Sequence, residues 1–195
     1  MGDHSLGCGK RGDRIARHDH LRDVIFEAAA SADLGPSKEE RHLLPGSVAR
    51  PGDVLIRRWS EGKDGALDVT VTSPLAASNV RGAANEAGSA LAKAFDRKVR
   101  DTAEACRQQG LVFLPVAVET LGGFHRVAVD QVRQLGTAVA RKAGSDEKVA
   151  TRQLFQRLSV NLMKGNAVLI TGRSPDADFA SPEIDVVELY LETCV

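Results

Sequence analysis

Aromatic side chains are scarce in this chain, at 4% of its 195 residues, with one Trp and one Tyr. A surface that holds single-stranded nucleic acid by stacking bases needs several such rings, so the composition argues against that class. Cysteine is as sparse. Cys8, Cys106 and Cys194 are widely separated and odd in number, which argues against a disulfide framework and for a reducing, intracellular compartment. No apolar run approaches the ~20 residues of a membrane span. The opening MGDHSLGCGKRGDR also lacks the apolar region of a signal peptide, so no membrane association is expected. Net charge is missing too, with 26 Lys+Arg against 26 Asp+Glu. Gripping nucleic acid through bulk charge is thereby excluded, and any such contact must come from local patches.

What remains is 43% apolar residues, enough for one core. GDRIARHDHLRDVIFEAAASADLG has Ile15, Leu21, Val24, Ile25, Ala28 and Ala29 at helical spacing, with Asp13 as a cap and Gly35-Pro36 as a stop. Leu43-Leu44 allows a short strand or a loop. DVLIRRW and ALDVTVTS are β-rich and flank SEGKDG, which has turn chemistry, so the three form an antiparallel hairpin. Residues 82–109 predict one long helix that ends before Gly110, and LVFLPVAVE a strand buried on both faces. After Gly122-Gly123, helices are expected over about 126–143 and 147–164, and NAVLITG either extends the second or adds a last strand. From residue 174 the chain is acidic and reads as a loosely attached tail. The order predicts an α/β fold: a small mixed sheet flanked by helices, with extra C-terminal helices.

Two carboxylates interrupt the β-rich runs. Asp53 opens one strand and Asp68 lies within the next. In a hairpin such positions can meet at the same end of the sheet, where they repel one another. A divalent cation removes that conflict, since Mg²⁺ takes one or two carboxylates with water and phosphate. Two surface aspartates flanking a loop satisfy the same pattern. On the first helix Arg14, Arg17, His18 and Arg22 form either a phosphate-contacting face or simply an exposed basic one.

Several short motifs occur together in one order. They are Arg17-His18-Asp19, then Arg50-Pro51 with Asp53, then Asp68-Val69-Thr70-Val71, then VFLPVAVETLGG. This series resembles the PD-(D/E)xK signature, and more narrowly the restriction-like endonuclease domain of site-specific non-LTR retrotransposons, over about residues 4–125. The resemblance implies a restriction-endonuclease-like core over 13–173 and a partial zinc-knuckle remnant over 1–12. It implies a nuclear protein that nicks host double-stranded DNA to prime element insertion, beside an upstream reverse transcriptase domain in an intact element. Asp53 and Asp68 would hold Mg²⁺ or Mn²⁺. Gly52 stands between Pro51 and Asp53, and Thr70 occupies the usual lysine position; the resemblance draws the lysine from the following helix, where Lys98 follows Asp96-Arg97. Lys98 would therefore complete the catalytic set, with Arg14, Arg17, His18 and Arg50 as nucleic-acid contacts. His4 and Cys8 supply half of a knuckle's four ligands, so tight Zn²⁺ binding is not expected of this chain. Two alternatives keep the same fold: a retroelement remnant that has lost catalysis, and a dimeric junction resolvase.

Overall fold

The computed structural model describes residue 6 and residues 13–41, 43–44 and 50–171. His4, Cys8 and the acidic 174–195 segment lie outside the described residues. The fold is mixed α/β. Helix α1 (Asp13–Ser31) precedes strands β1 (Ser37–Lys38), β2 (Val54–Ser60) and β3 (Lys63–Thr72). Then come α2 (Val80–Asn85), α3 (Ser89–Lys98), a π-helical turn (Val99–Ala103), α4 (Glu104–Gln108), β4 (Val112–Glu119), α5 (Arg126–Ala143) and α6 (Glu147–Thr171). The four strands form one open sheet in the order β1-β2-β3-β4. Its first three strands are antiparallel, and β4 joins β3 in parallel from Gly65↔Val112 to Thr72↔Glu119. A parallel neighbour needs a crossover, which α2 to α4 provide.

The hairpin is tighter than SEGKDG suggests, and its strands run into that segment until Ser60 pairs with Lys63. Glu61 and Gly62 both adopt positive φ, 51° and 74°, the geometry whose twist matches that of the flanking strands. A register shift lies between Ile56 and Ser60, where Arg58 also has positive φ. The Asp64 carboxylate steadies it by accepting from the Arg58 N–H at 2.9 Å and from Arg57 at 2.8 Å.

Side chains alternate across the sheet. Val54, Ile56, Leu67, Val69, Leu114, Val116 and Val118 join Leu21 and Ile25 of α1, Val132 and Leu135 of α5, and Leu154, Leu158 and Leu162 of α6 in the main core. Leu55 and Ala66 face the other way, with Cys106, Leu43, Leu111 and Phe113 in a smaller cluster. Leu114 to Val118 are buried throughout, as the continuous apolar run predicts.

One expectation changes and two open ones resolve. The single helix over 82–109 is broken: Glu86 is extended and Gly88 is left-handed (φ 80°), and helical structure restarts at Ser89. Leu43-Leu44 form no strand, and the short edge strand lies at Ser37–Lys38 instead. NAVLITG continues α6 as far as Thr171. Among the described residues no helix is long and apolar enough to cross a membrane.

The pairing of α5 with α6 depends on Gly136, which is buried. A Cβ there would lie 2.7 Å from Thr151 Cα, a backbone atom that cannot swing aside. Alanine favours a helix by about 1 kcal/mol over glycine, whereas overpacking costs roughly 1–3 kcal/mol. Gly136→Ala is therefore expected to lower the urea midpoint; an increase would show that the helices can part at no cost.

Candidate active site

Pairing of β2 with β3 starts at Val54↔Leu67. Beyond Leu67 the β3 edge has no β2 neighbour, and its backbone groups need other partners. Continuing the register from Leu55↔Ala66 and Val54↔Leu67 sets Asp53 opposite Asp68 on the face of the smaller cluster. The Asp53 N–H donates to Leu67 O at 2.7 Å. Asp53 Oδ2 accepts from the Val69 N–H at 2.7 Å, and His18 Nε2 lies 3.1 Å from both Val69 O and that same Oδ2. A carboxylate and an imidazole thus take the Val69 groups that a longer β2 would have taken.

Gly52 makes this possible. A Cβ at that position would sit 2.6 Å from Leu67 O and 3.0 Å from the Ala66 carbonyl carbon. The residue inserted between Pro51 and Asp53 therefore allows the chain to lie directly on β3, and this approach sets where Asp53 stands.

His18 Nδ1 lies 3.2 Å from Asp19 Oδ1. Both ring nitrogens face acceptors, an arrangement that favours the imidazolium form. Its pKa is accordingly raised from 6.5 to about 9, first by the hydrogen bond to Asp53 and against the effect of burial. For Asp53, burial pushes the carboxyl up, but the His18 bond and charge, the Val69 N–H and Lys98 outweigh it and hold the pKa below its usual value. Asp68 goes the other way: burial raises its pKa, and Lys98 offsets this only in part.

Lys98 reaches Asp68 from the last turn of α3. Ala90, Leu91 and Ala94 form the buried face of that helix, and Lys98 lies one turn beyond Ala94 on the same side. Its Nζ donates to Asp68 Oδ1 at 3.0 Å and lies 2.8 Å from Oδ2. Oδ2 is nonetheless buried without an aligned donor. The π-turn that follows is a feature enriched at functional sites. Asp53 and Asp68 thus each face a cation, His18 and Lys98, while Asp19 takes the other nitrogen of His18.

Among the described residues no group of three or more His, Cys, Asp and Glu surrounds a metal position. Two carboxylates are nevertheless the usual protein share of a Mg²⁺ site. Asp53 Oδ1 takes neither of the bonds that Oδ2 accepts, and Asp68 Oδ2 is a buried acceptor without a hydrogen bond. The donor set fits a hard cation that keeps several waters.

Two adjoining cavities, of about 420 and 370 Å³, share Arg14, Arg17 and Val71. The smaller lies over His18, Val69, Thr70 and Lys98. The larger extends along Ser78, Asn79, Lys93, Arg97 and Thr120. Among the described residues, neither is lined by an Asp or Glu. Arg14 is exposed at their junction. Arg17 is 3% exposed, so it is not part of an open basic face. Arg50 pairs with Glu39, whose other oxygen accepts from Arg22, and lines neither cavity. His125 caps α5 and stacks on Phe95. Lys93, Arg97, Asn79 and Thr120 line the larger cavity without having been among the expected site residues; the i,i+4 spacing of Lys93 and Arg97 was the available signal. No protein-family model and no curated protein matches the chain.

Two substitutions test the geometry. Because the folded pKa of His18 exceeds its unfolded value, its stabilisation is complete below about 6.5 and is lost as pH rises through about 9. His18→Gln should therefore cost about 1–2 kcal/mol at pH 6 and much less at pH 9.5 in urea unfolding. An equal deficit at both pH values would contradict the imidazolium. Gly52→Ala should move Asp53 off Val69, seen as a shifted Val69 amide resonance with faster hydrogen exchange; an unchanged Val69 amide would contradict the close approach.

Proposed function

We propose that this chain is a metal-dependent DNA endonuclease domain with a restriction-endonuclease-like core, akin to the restriction-like endonucleases of site-specific non-LTR retrotransposons. It would nick host DNA in the nucleus to prime insertion, beside a reverse transcriptase domain in the intact element. The observation that carries this is the convergence of Asp53, just before β2, with Asp68 of β3 and Lys98 of α3 at one sheet edge, where each carboxylate feels the other or the Lys98 charge. The mixed four-stranded sheet flanked by helices is compatible with such a core.

Asp53 and Asp68 would hold Mg²⁺ or Mn²⁺, which when bound supplies Lewis-acid stabilisation of phosphoryl charge and lowers the pKa of water. The protein's own groups do the rest. Arg14, with Lys93 and Arg97 beside it, lines the approach and attracts the sugar-phosphate backbone. Lys98, held against Asp68, faces any phosphate that shares that carboxylate and donates to the charge developing on it. His18 keeps Asp53 ionised and fixes which oxygen remains available.

The second reading, a remnant that keeps the fold and DNA binding without catalysis, is favoured by one observation. Asp53 already has a structural task as the cap of Val69, and His18 and Lys98 neutralise both acids.

Nicking of supercoiled plasmid separates the two. The wild type should nick in Mg²⁺ or Mn²⁺ and not in EDTA. Asp68→Asn should abolish nicking, and Lys98→Ala should slow it by roughly 10²–10³-fold, the cost of losing one charge-stabilising donor. DNA binding with no metal-dependent nicking by the wild type, or full nicking by Asp68→Asn, would overturn the nuclease assignment.

A further inference from the structure

Arg17 is a buried guanidinium without a carboxylate partner among the described residues. Its Nη1 donates to Asn166 Oδ1 at 2.8 Å, Nη2 lies 3.5 Å from Leu6 O, and Nε is buried without a partner. Ionised groups are rarely buried against neutral acceptors alone, because desolvation is not recovered. The fold nevertheless makes room for it. Gly165 of α6 lies against the Arg17 stem, where a Cβ would be 2.5 Å from Arg17 Cγ and 3.2 Å from its Cα. Asn166, 7% exposed, holds the guanidinium and donates its own Nδ2 to Thr120 O at 2.7 Å. Thr120, 1% exposed, carries a second buried polar atom with no partner, its Oγ1. Arg17 and Thr120 both line the 420 Å³ cavity, with Arg14, Lys93 and Arg97 around it. Arg14 and Arg97 have no ion-pair partner among the described residues, and Lys93 donates to Ser78 O at 2.9 Å. Among the described residues the wall has four cations and no acid. Nothing in packing α1 on α6 calls for a full charge here, since a neutral amide could meet Asn166 as well.

We propose that this cavity is a phosphate site built on Arg17, and that it takes a non-scissile phosphate of a DNA strand beside the acid cluster. Lys93, Arg97 and Arg14 supply donors and charge from the rim, over the buried charge of the Arg17 guanidinium. The cavity shares Arg14 and Arg17 with the smaller one over Lys98, so a strand bound here continues toward Asp68. The identification of the strand rests on the nuclease proposal, whereas the anion site stands on the four cations that line the cavity.

The test is duplex binding by fluorescence polarisation in EDTA, where no cleavage occurs, together with calorimetric titration of inorganic phosphate. Lys93→Ala/Arg97→Ala removes two exposed charges with little effect on folding. It should weaken duplex binding about tenfold or more and lower the log–log salt slope by about two. Arg133→Ala/Arg141→Ala removes the same charge from α5, away from both cavities, and should leave affinity within about threefold if the effect is local. Arg17→Lys keeps the charge but loses the fork, and should also weaken binding. Phosphate affinity that depends on Lys93 and Arg97, with duplex binding untouched, would overturn the strand assignment in favour of a free-phosphate site. Equal effects of the two double variants, or no effect on either ligand, would overturn the site itself. If the wild type nicks DNA and Lys93→Ala/Arg97→Ala binds and nicks as well as it does, this proposal fails and the nuclease reading stands. If binding is lost as expected but the wild type never nicks, the nuclease reading fails alone.

Discussion

The end of β2 at Val54 is the constraint from which the rest of the site follows. β3 continues past that point with β4 on one side and open backbone on the other. An exposed edge of this kind must be capped or it invites pairing with another chain. Here the cap is ionic. Asp53 takes the Val69 N–H, His18 takes the carbonyl, and the two bind each other. The same contact ties α1 to the sheet and places Asp53 opposite Asp68. A structural need and a chemical opportunity therefore coincide in one carboxylate, of which one oxygen is committed to the edge.

Charge is distributed to match. The chain is neutral overall, but its titratable groups are sorted in space. Asp53 and Asp68 face His18 and Lys98 within the cluster, while the adjoining cavities collect Arg14, Arg17, Lys93 and Arg97 and, among the described residues, no acid. Asp19 and Asp23 of α1 and Glu39, just after β1, surround Arg22, with Asp19 also against His18, and Arg50 and Lys38 join the same network. Arg50 is drawn there and away from the groove. Local sorting lets a protein without net charge present a surface of one sign.

Much of this was legible in the sequence where periodicity is strong. The hairpin, the buried strand β4, and helices α5 and α6 follow from alternation or 3.6-residue spacing, and the hairpin alone brings Asp53 near Asp68. Lys98 was reachable too, since it falls one turn after Ala94 on the packed face. Other features depend on contacts between distant segments. The break at Gly88 divides an Ala-rich stretch whose composition favours one continuous helix. The role of Gly52 as the close approach to β3 requires knowing which backbone lies beside it, and so its presence between Pro51 and Asp53 could equally suggest a looser carboxylate. The burial of Arg17 depends on Gly165 and Asn166, at the far end of the chain from it. No local pattern distinguishes that arginine from its exposed neighbour Arg14.

The central claim is that Asp53 and Asp68 act together as ligands for a hard divalent cation. Electron paramagnetic resonance of free Mn²⁺, titrated against the protein with a duplex oligonucleotide present, tests this directly and independently of cleavage. Wild-type protein should deplete the free-ion signal in proportion to its concentration, and Asp53→Asn/Asp68→Asn should not, while still binding the duplex. Equal depletion by both proteins would contradict the account, and so would no depletion by the wild type.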